Sequence, residues 1–85
     1  MTDTEPQLQV SFSSFVVGLA TSAMGHLGEG PGQGVDLELA RNTIDLLGIL
    51  QEKTAGNLDE EEKRLLDTLL YETRLRFVAK SEGKD

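Results

Sequence analysis

The stretch SFSSFVVGLATSAMGHLG, Ser11 to Gly28, holds no Asp, Glu, Lys or Arg, in a chain of 85 residues with formal net charge −7. Three arrangements call for so long an uncharged segment: a membrane span, a helix buried in a core, or a contact between subunits. A spanning helix needs about 20 predominantly apolar residues. Val10 to Leu27 offers ten apolar residues among eighteen, the rest being Ser, Thr, Gly and His26. An amphipathic helix lying in a membrane surface carries a strongly charged, usually Lys/Arg-rich, polar face, and none is present. The remaining reading is a helix covered on two sides.

Periodicity supports two distinct faces. Phe12, Phe15, Val16, Leu19, Ala23, Met24 and Leu27 recur at spacings of three and four, which places them on one side of a helix. This side is expected to pack on the rest of the chain. Ser14, Gly18, Thr21, Ser22 and Gly25 recur on another side, where small side chains let a second backbone approach closely. This side is expected to meet a symmetry-related copy.

Downstream, GEGPGQG breaks the helix, since glycine disfavours it entropically and Pro31 lacks a backbone donor. A glycine-rich loop can cradle phosphate, but this one follows a helix, lacks a Lys-Ser/Thr pair and carries Glu29, which repels anions. It reads as a connector. Asp36 is a suitable N-cap for a second helix, with Glu38 in its first turn and Lys53 near its last carbonyls. Leu37, Ala40, Ile44 and Leu47 form its stripe; Leu39, Leu46 and Leu50 widen the stripe, and Ile49 falls outside it. Gly56 is expected to stop this helix.

LDEEEKRLL opens a third helix, with Asp59 as cap and Glu62 placed to reach back to the Asp59 amide. Consecutive carboxylates on a helix point in different directions and do not converge on one cation, so the acidic run reads as a cap rather than a metal site. Glu60 to Arg64 and Glu72 to Arg76 stand four apart, the spacing of surface ion pairs. Leu66, Leu70, Thr73 and Phe77 form one stripe with Leu69 beside it; Tyr71, Leu75 and Val78 form another on roughly the opposite side. One partner does not cover both.

The expected architecture is therefore all-α: helices two and three as an antiparallel hairpin, helix one packed across it, and the whole completed by oligomerisation. The helical domain spans residues 10–80, with a Gly-rich loop at 28–35 and disordered tails at 1–9 and 81–85. A domain this small buries roughly 60–65% of the surface its unfolded chain exposes. It has no cysteine, so neither disulfides nor a thiolate zinc site adds stability.

Fifteen acidic residues against eight basic ones disfavour nucleic acid and anionic lipid as partners, because Arg64, Arg74, Arg76 and Lys80 alternate with Asp67, Glu72 and Glu82. Without a basic groove, Tyr71 reads as an interface or core-edge aromatic rather than a base-stacking one. The acidic opening MTDTEPQLQ lacks the basic start of a secretory signal and points to the cytoplasm.

The uncharged first segment, followed after a glycine loop by DLELARNTIDLLGILQEKTAGNLDEEEKRLLDTLLYETRLRFV, resembles the small bacterial family called domain of unknown function 1844. The resemblance covers about Phe12 to Val78 and rests on the order of uncharged helix, ARNTIDLL segment, KTAGNL turn and acid-capped last helix. It implies an all-helical bacterial protein and supplies no catalytic residue. The glycine-heavy connector Gly28 to Gly34 is where this chain departs.

The inventory for enzyme chemistry is thin. His26 is the single histidine, and Glu29 is the nearest acid that could orient it. Ser11, Ser13, Ser14 and Ser22 lack the strand-to-helix elbow of a nucleophilic serine. The expectation is no enzyme, no cofactor and no metal. The favoured function is a self-associating interaction, adaptor or regulatory module, a dimer in the first instance, with an unidentified protein partner possible. Its candidate interface is Ser14, Gly18, Ser22, Gly25, Tyr71, Leu75 and Val78. The alternatives are a minimal enzyme or metal protein using His26 and Glu29, and a peripheral membrane protein inserting helix one.

Overall fold

Three helices follow one another in the computed structural model: α1 (Phe12–His26), α2 (Leu37–Lys53) and α3 (Glu60–Ser81). The structure describes residues 10–29 and 34–83. The expected tail at 1–9, the middle of the glycine connector and the last two residues lie outside them.

Each helix starts where a side chain can answer its free amides. Ser11 caps α1: its Oγ accepts from the Ser14 N–H at 3.0 Å, and the Ser11 N–H donates to Ser14 Oγ at 3.2 Å. This box is built from two hydroxyls, so the helix begins without any acidic residue in its first turn. Asp36 caps α2 by accepting from the Leu39 N–H at 3.0 Å. Asp59 and Glu62 form the expected box on α3, with bonds of 2.8 and 3.0 Å.

The helix ends fix the connections. After α1 the Glu29 N–H donates to the Met24 carbonyl and the Gly28 N–H to that of Gly25, both at 3.0 Å. This crossed pair needs a left-handed residue, and Gly28 supplies it with φ 82°. The Asp36 N–H then donates to the His26 carbonyl at 2.7 Å, which ties the start of α2 to the end of α1 and closes the connector at its base.

The second helix stops at Lys53, earlier than Gly56. The Thr54 hydroxyl donates to the Leu50 carbonyl at 2.6 Å. Gly56, at φ 84°, shapes the tight turn that the Asn57 N–H closes onto Thr54. The third helix continues through Ser81, one residue into the segment expected as a tail.

Each helix packs against the other two. Val16, Ala20 and Ala23 from α1, Ile44 and Leu47 from α2, and Leu66 and Leu70 from α3 form one core cluster, with Phe12, Leu19, Leu50, Leu58, Leu69 and Phe77 at its edge. The hairpin of α2 and α3 is antiparallel: Gln51 bonds to Asp67 near the turn, while Arg41 and Asp45 share a shallow cleft with Arg74 and Phe77 at the far end. At Gly48 a Cβ would stand 3.2 Å from the end of the exposed Arg74 side chain, which lies over α2 there.

The central lines of the α2 and α3 stripes lie inward as expected, with Ala40, Ile44 and Leu47, and Leu66, Leu70 and Thr73, buried. Leu39 and Leu46, expected to widen the α2 stripe, are instead about half exposed, because they lie more than about 100° round the helix from its buried line. The α1 stripe is turned. Its buried line is Val16, Ala20, Ala23 and Leu27, while Phe15 is 54% exposed. Alanine at the centre lets three helices approach one axis, and Phe15, about 100° round the helix from Val16, is carried to the flank.

Removing the α3 cap tests the helix boundary. Asp59→Ala is expected to destabilise the fold by about 0.5–2 kcal/mol, read as a lowered denaturation midpoint. An unchanged midpoint would contradict the cap assignment.

Candidate functional site

The residues that could carry acid–base chemistry do not converge. His26 sits half-buried in the last turn of α1. Glu29, the acid nearest to it in sequence, holds its carboxylate against α3, where the Arg76 Nη1 donates to Glu29 Oε1 at 3.0 Å. Arg76 was expected to pair with Glu72 along its own helix; it reaches across to the end of α1 instead. Among the described residues no three His, Asp or Glu side chains stand close enough to hold a metal ion between them. The buried hydroxyl of Thr73 donates to the Leu69 and Leu70 carbonyls at 2.8 and 3.1 Å, and no described buried side-chain polar atom lacks a partner.

A cleft of about 410 Å³ opens beside the turn between α2 and α3, with Ala55, Leu58 and Leu66 in its lining. Its polar members bond to one another: Lys63 Nζ meets Asp67 Oδ2 at 2.8 Å, and Gln51 Nε2 donates to Asp67 Oδ1 at 2.9 Å. Hydrogen bonds from Lys63 and then Gln51 hold the Asp67 carboxyl below the usual aspartate range, and the bond and charge of Asp67 raise the Lys63 ammonium.

The signs follow from linkage. Asp67 contributes stability above the ordinary aspartate range, lost as pH falls through its depressed value. Lys63 contributes stability below the ordinary lysine range, lost as pH rises through its raised value. An NMR titration of the Asp67 carboxyl carbon is expected to show a low midpoint that Lys63→Met moves upward. A midpoint unmoved by Lys63→Met would contradict the pairing.

What distinguishes the molecule is its exposed apolar surface. On α1, Ser14, Gly18 and Ser22 face outward and Gly25 is half-buried. A Cβ on Gly18 would meet nothing within 4 Å. Ser14 has a second role that spacing alone did not reveal, as half of the α1 cap. On α3, Tyr71 is 64% exposed, Leu75 53% and Val78 48%.

The structure therefore keeps the seven candidate interface residues accessible or half-accessible, in two lines on different helices. It also exposes residues that the spacing assigns to packing, Phe15 to the inward face of α1 and Leu39 and Leu46 to the widened α2 stripe, together with Ile49, which falls outside that stripe, and Val17. Each is about half exposed. Their angular distance from the core line was the available signal.

No helix is long and apolar enough to cross a membrane among the described residues. No curated protein and no solved structure matches the chain. A family model described as Domain of unknown function (DUF1844) matches residues 9–79, a span that contains all of α1 and α2 and nearly all of α3, and the chain belongs to that family.

Proposed function

We propose that the protein is a self-associating helical interaction module, which presents its outer helix faces to a second copy of itself and, as an adaptor or regulator, to a larger protein. The observation that carries this reading is the run of half-exposed Phe, Leu, Ile, Val and Tyr side chains on all three helices of a small domain. Single apolar residues at a surface are ordinary, whereas contiguous apolar patches on soluble proteins mark interaction sites.

Charge supports the choice of a second copy. Two chains of net charge −7 repel at long range. Close approach is easiest where carboxylates are absent or sparse, as along α1 and the apolar middle of the outer side of α3. Oligomerisation also answers the stability problem of a short chain without disulfides.

Sedimentation equilibrium on the full chain is expected to give the mass of a dimer at tens of micromolar, with a thermal midpoint that rises with protein concentration. Monomer mass throughout, with a midpoint independent of concentration, would contradict the proposal. Gly18 provides an internal control. Open space around it means that Gly18→Ala should stabilise the single chain by about 0.5–1 kcal/mol through helix propensity.

A further inference from the structure

The outer side of α3 carries Arg64, Thr68, Tyr71, Leu75, Val78 and the capping residue Glu82 in one line, at alternating steps of four and three residues. All six are exposed. Alternating steps of three and four make the contact seam of two helices packed side by side. The line lies opposite the buried Leu66, Leu70 and Thr73, so the chain's own α1 and α2 sit on the other side of the helix. An outward helix face in a globular domain is ordinarily charged. Here the middle is Thr, Tyr, Leu and Val, and charge stands at the two ends only, with opposite sign.

That pattern is complementary to itself. When two copies of α3 are set antiparallel about an axis beside Thr73, Arg64 faces Glu82 of the second copy, Thr68 faces Val78, and Tyr71 faces Leu75. Every position in the line is answered, and both ends join unlike charges. A parallel pair would set Arg64 against Arg64 and Glu82 against Glu82, which costs stability at both ends.

Resting on the self-association reading above, we infer that this line is the two-fold contact of a homodimer, with α3 packed antiparallel on α3 of the second copy. The contact is isologous, so each substitution acts twice. It offers fewer residues per side than the ~20–30 of a standard interface, as in weak, reversible assemblies. The axis also brings Glu72 beside its own copy. Neutralising Glu72 should therefore tighten the dimer, and more than neutralising an acidic residue far from the contact, such as Glu38, which eases only the long-range repulsion.

The chain has no cysteine, so an introduced thiol is unique. In the full-length protein, Glu72→Cys is expected to cross-link to itself with a short bifunctional maleimide. Arg64→Cys mixed with Glu82→Cys should cross-link, while neither does so alone, because like ends lie about 27 Å apart at about 1.5 Å per residue. Leu75→Arg should give monomer mass with helical circular dichroism retained, since Leu75 is outside the core. Glu72→Gln should lower the dissociation constant by about twofold, the size of a relieved like-charge pair.

Self-cross-linking of Arg64→Cys would overturn the antiparallel register. A dimer that survives Leu75→Arg and is lost in Gly18→Leu would move the contact to α1, leaving self-association standing and this assignment refuted. A wild-type chain that is monomeric at every concentration would refute both.

Discussion

Everything in this molecule depends on how little side-chain bulk lies at its axis. The centre of the bundle is Val16, Ala20, Ala23 and Leu27 against Ala40, Ile44 and Leu47 and against Leu66, Leu70 and Thr73. Alanines let the three helices draw close, and close packing recovers dispersion contacts that larger residues would otherwise have to supply. The consequence is a narrow core that uses one side of each helix. Apolar side chains on the outer faces, among them Phe15, Leu46, Ile49, Tyr71, Leu75 and Val78, have no place in it. Stability in a domain of this size is a small difference between large terms, so covering that outer surface matters as much as the core itself.

The helix ends make the narrow core possible. Ser11 with Ser14, Asp36, and Asp59 with Glu62 each satisfy amides that would otherwise be left open. Gly28 and Gly56 turn the chain in conformations that other residues rarely adopt. Two links then hold the far ends in register: the Asp36 amide on the His26 carbonyl, and Arg76 on Glu29. The second of these engages an oxygen of Glu29, the acid nearest to His26 in sequence. The same pairing that orders the bundle thus engages the acid on which the strongest acid–base alternative relied.

Much of this was legible in the sequence, and the limits have physical causes. The caps at Asp36 and Asp59, the central lines of the α2 and α3 stripes and the outward line of Tyr71, Leu75 and Val78 follow from local chemistry and helical spacing, whereas Leu39 and Leu46, read as widening the α2 stripe, lie outside the narrow core. The α1 face was read with Phe15 inside because a pattern of apolar residues does not rank them by size against the space available. In a core this tight, Ala20 enters and Phe15 leaves. Ser14 was read as a contact residue, since a serine on a small-residue face looks the same whether or not it caps. Arg76 was paired with Glu72 because spacing along one helix is visible in a sequence and a partner 47 residues away is not.

The family assignment gives the chain relatives without giving it an activity, so the account stands on surface physics: the apolar residues excluded from the core form a contact with another copy. A dilution series of amide NMR spectra addresses that claim most directly, because each residue reports on its own surroundings. The account predicts concentration-dependent shifts along the outer side of α3, from Arg64 to Glu82, with core amides such as those of Leu47 and Leu66 unmoved. Spectra that superimpose at every concentration would contradict it.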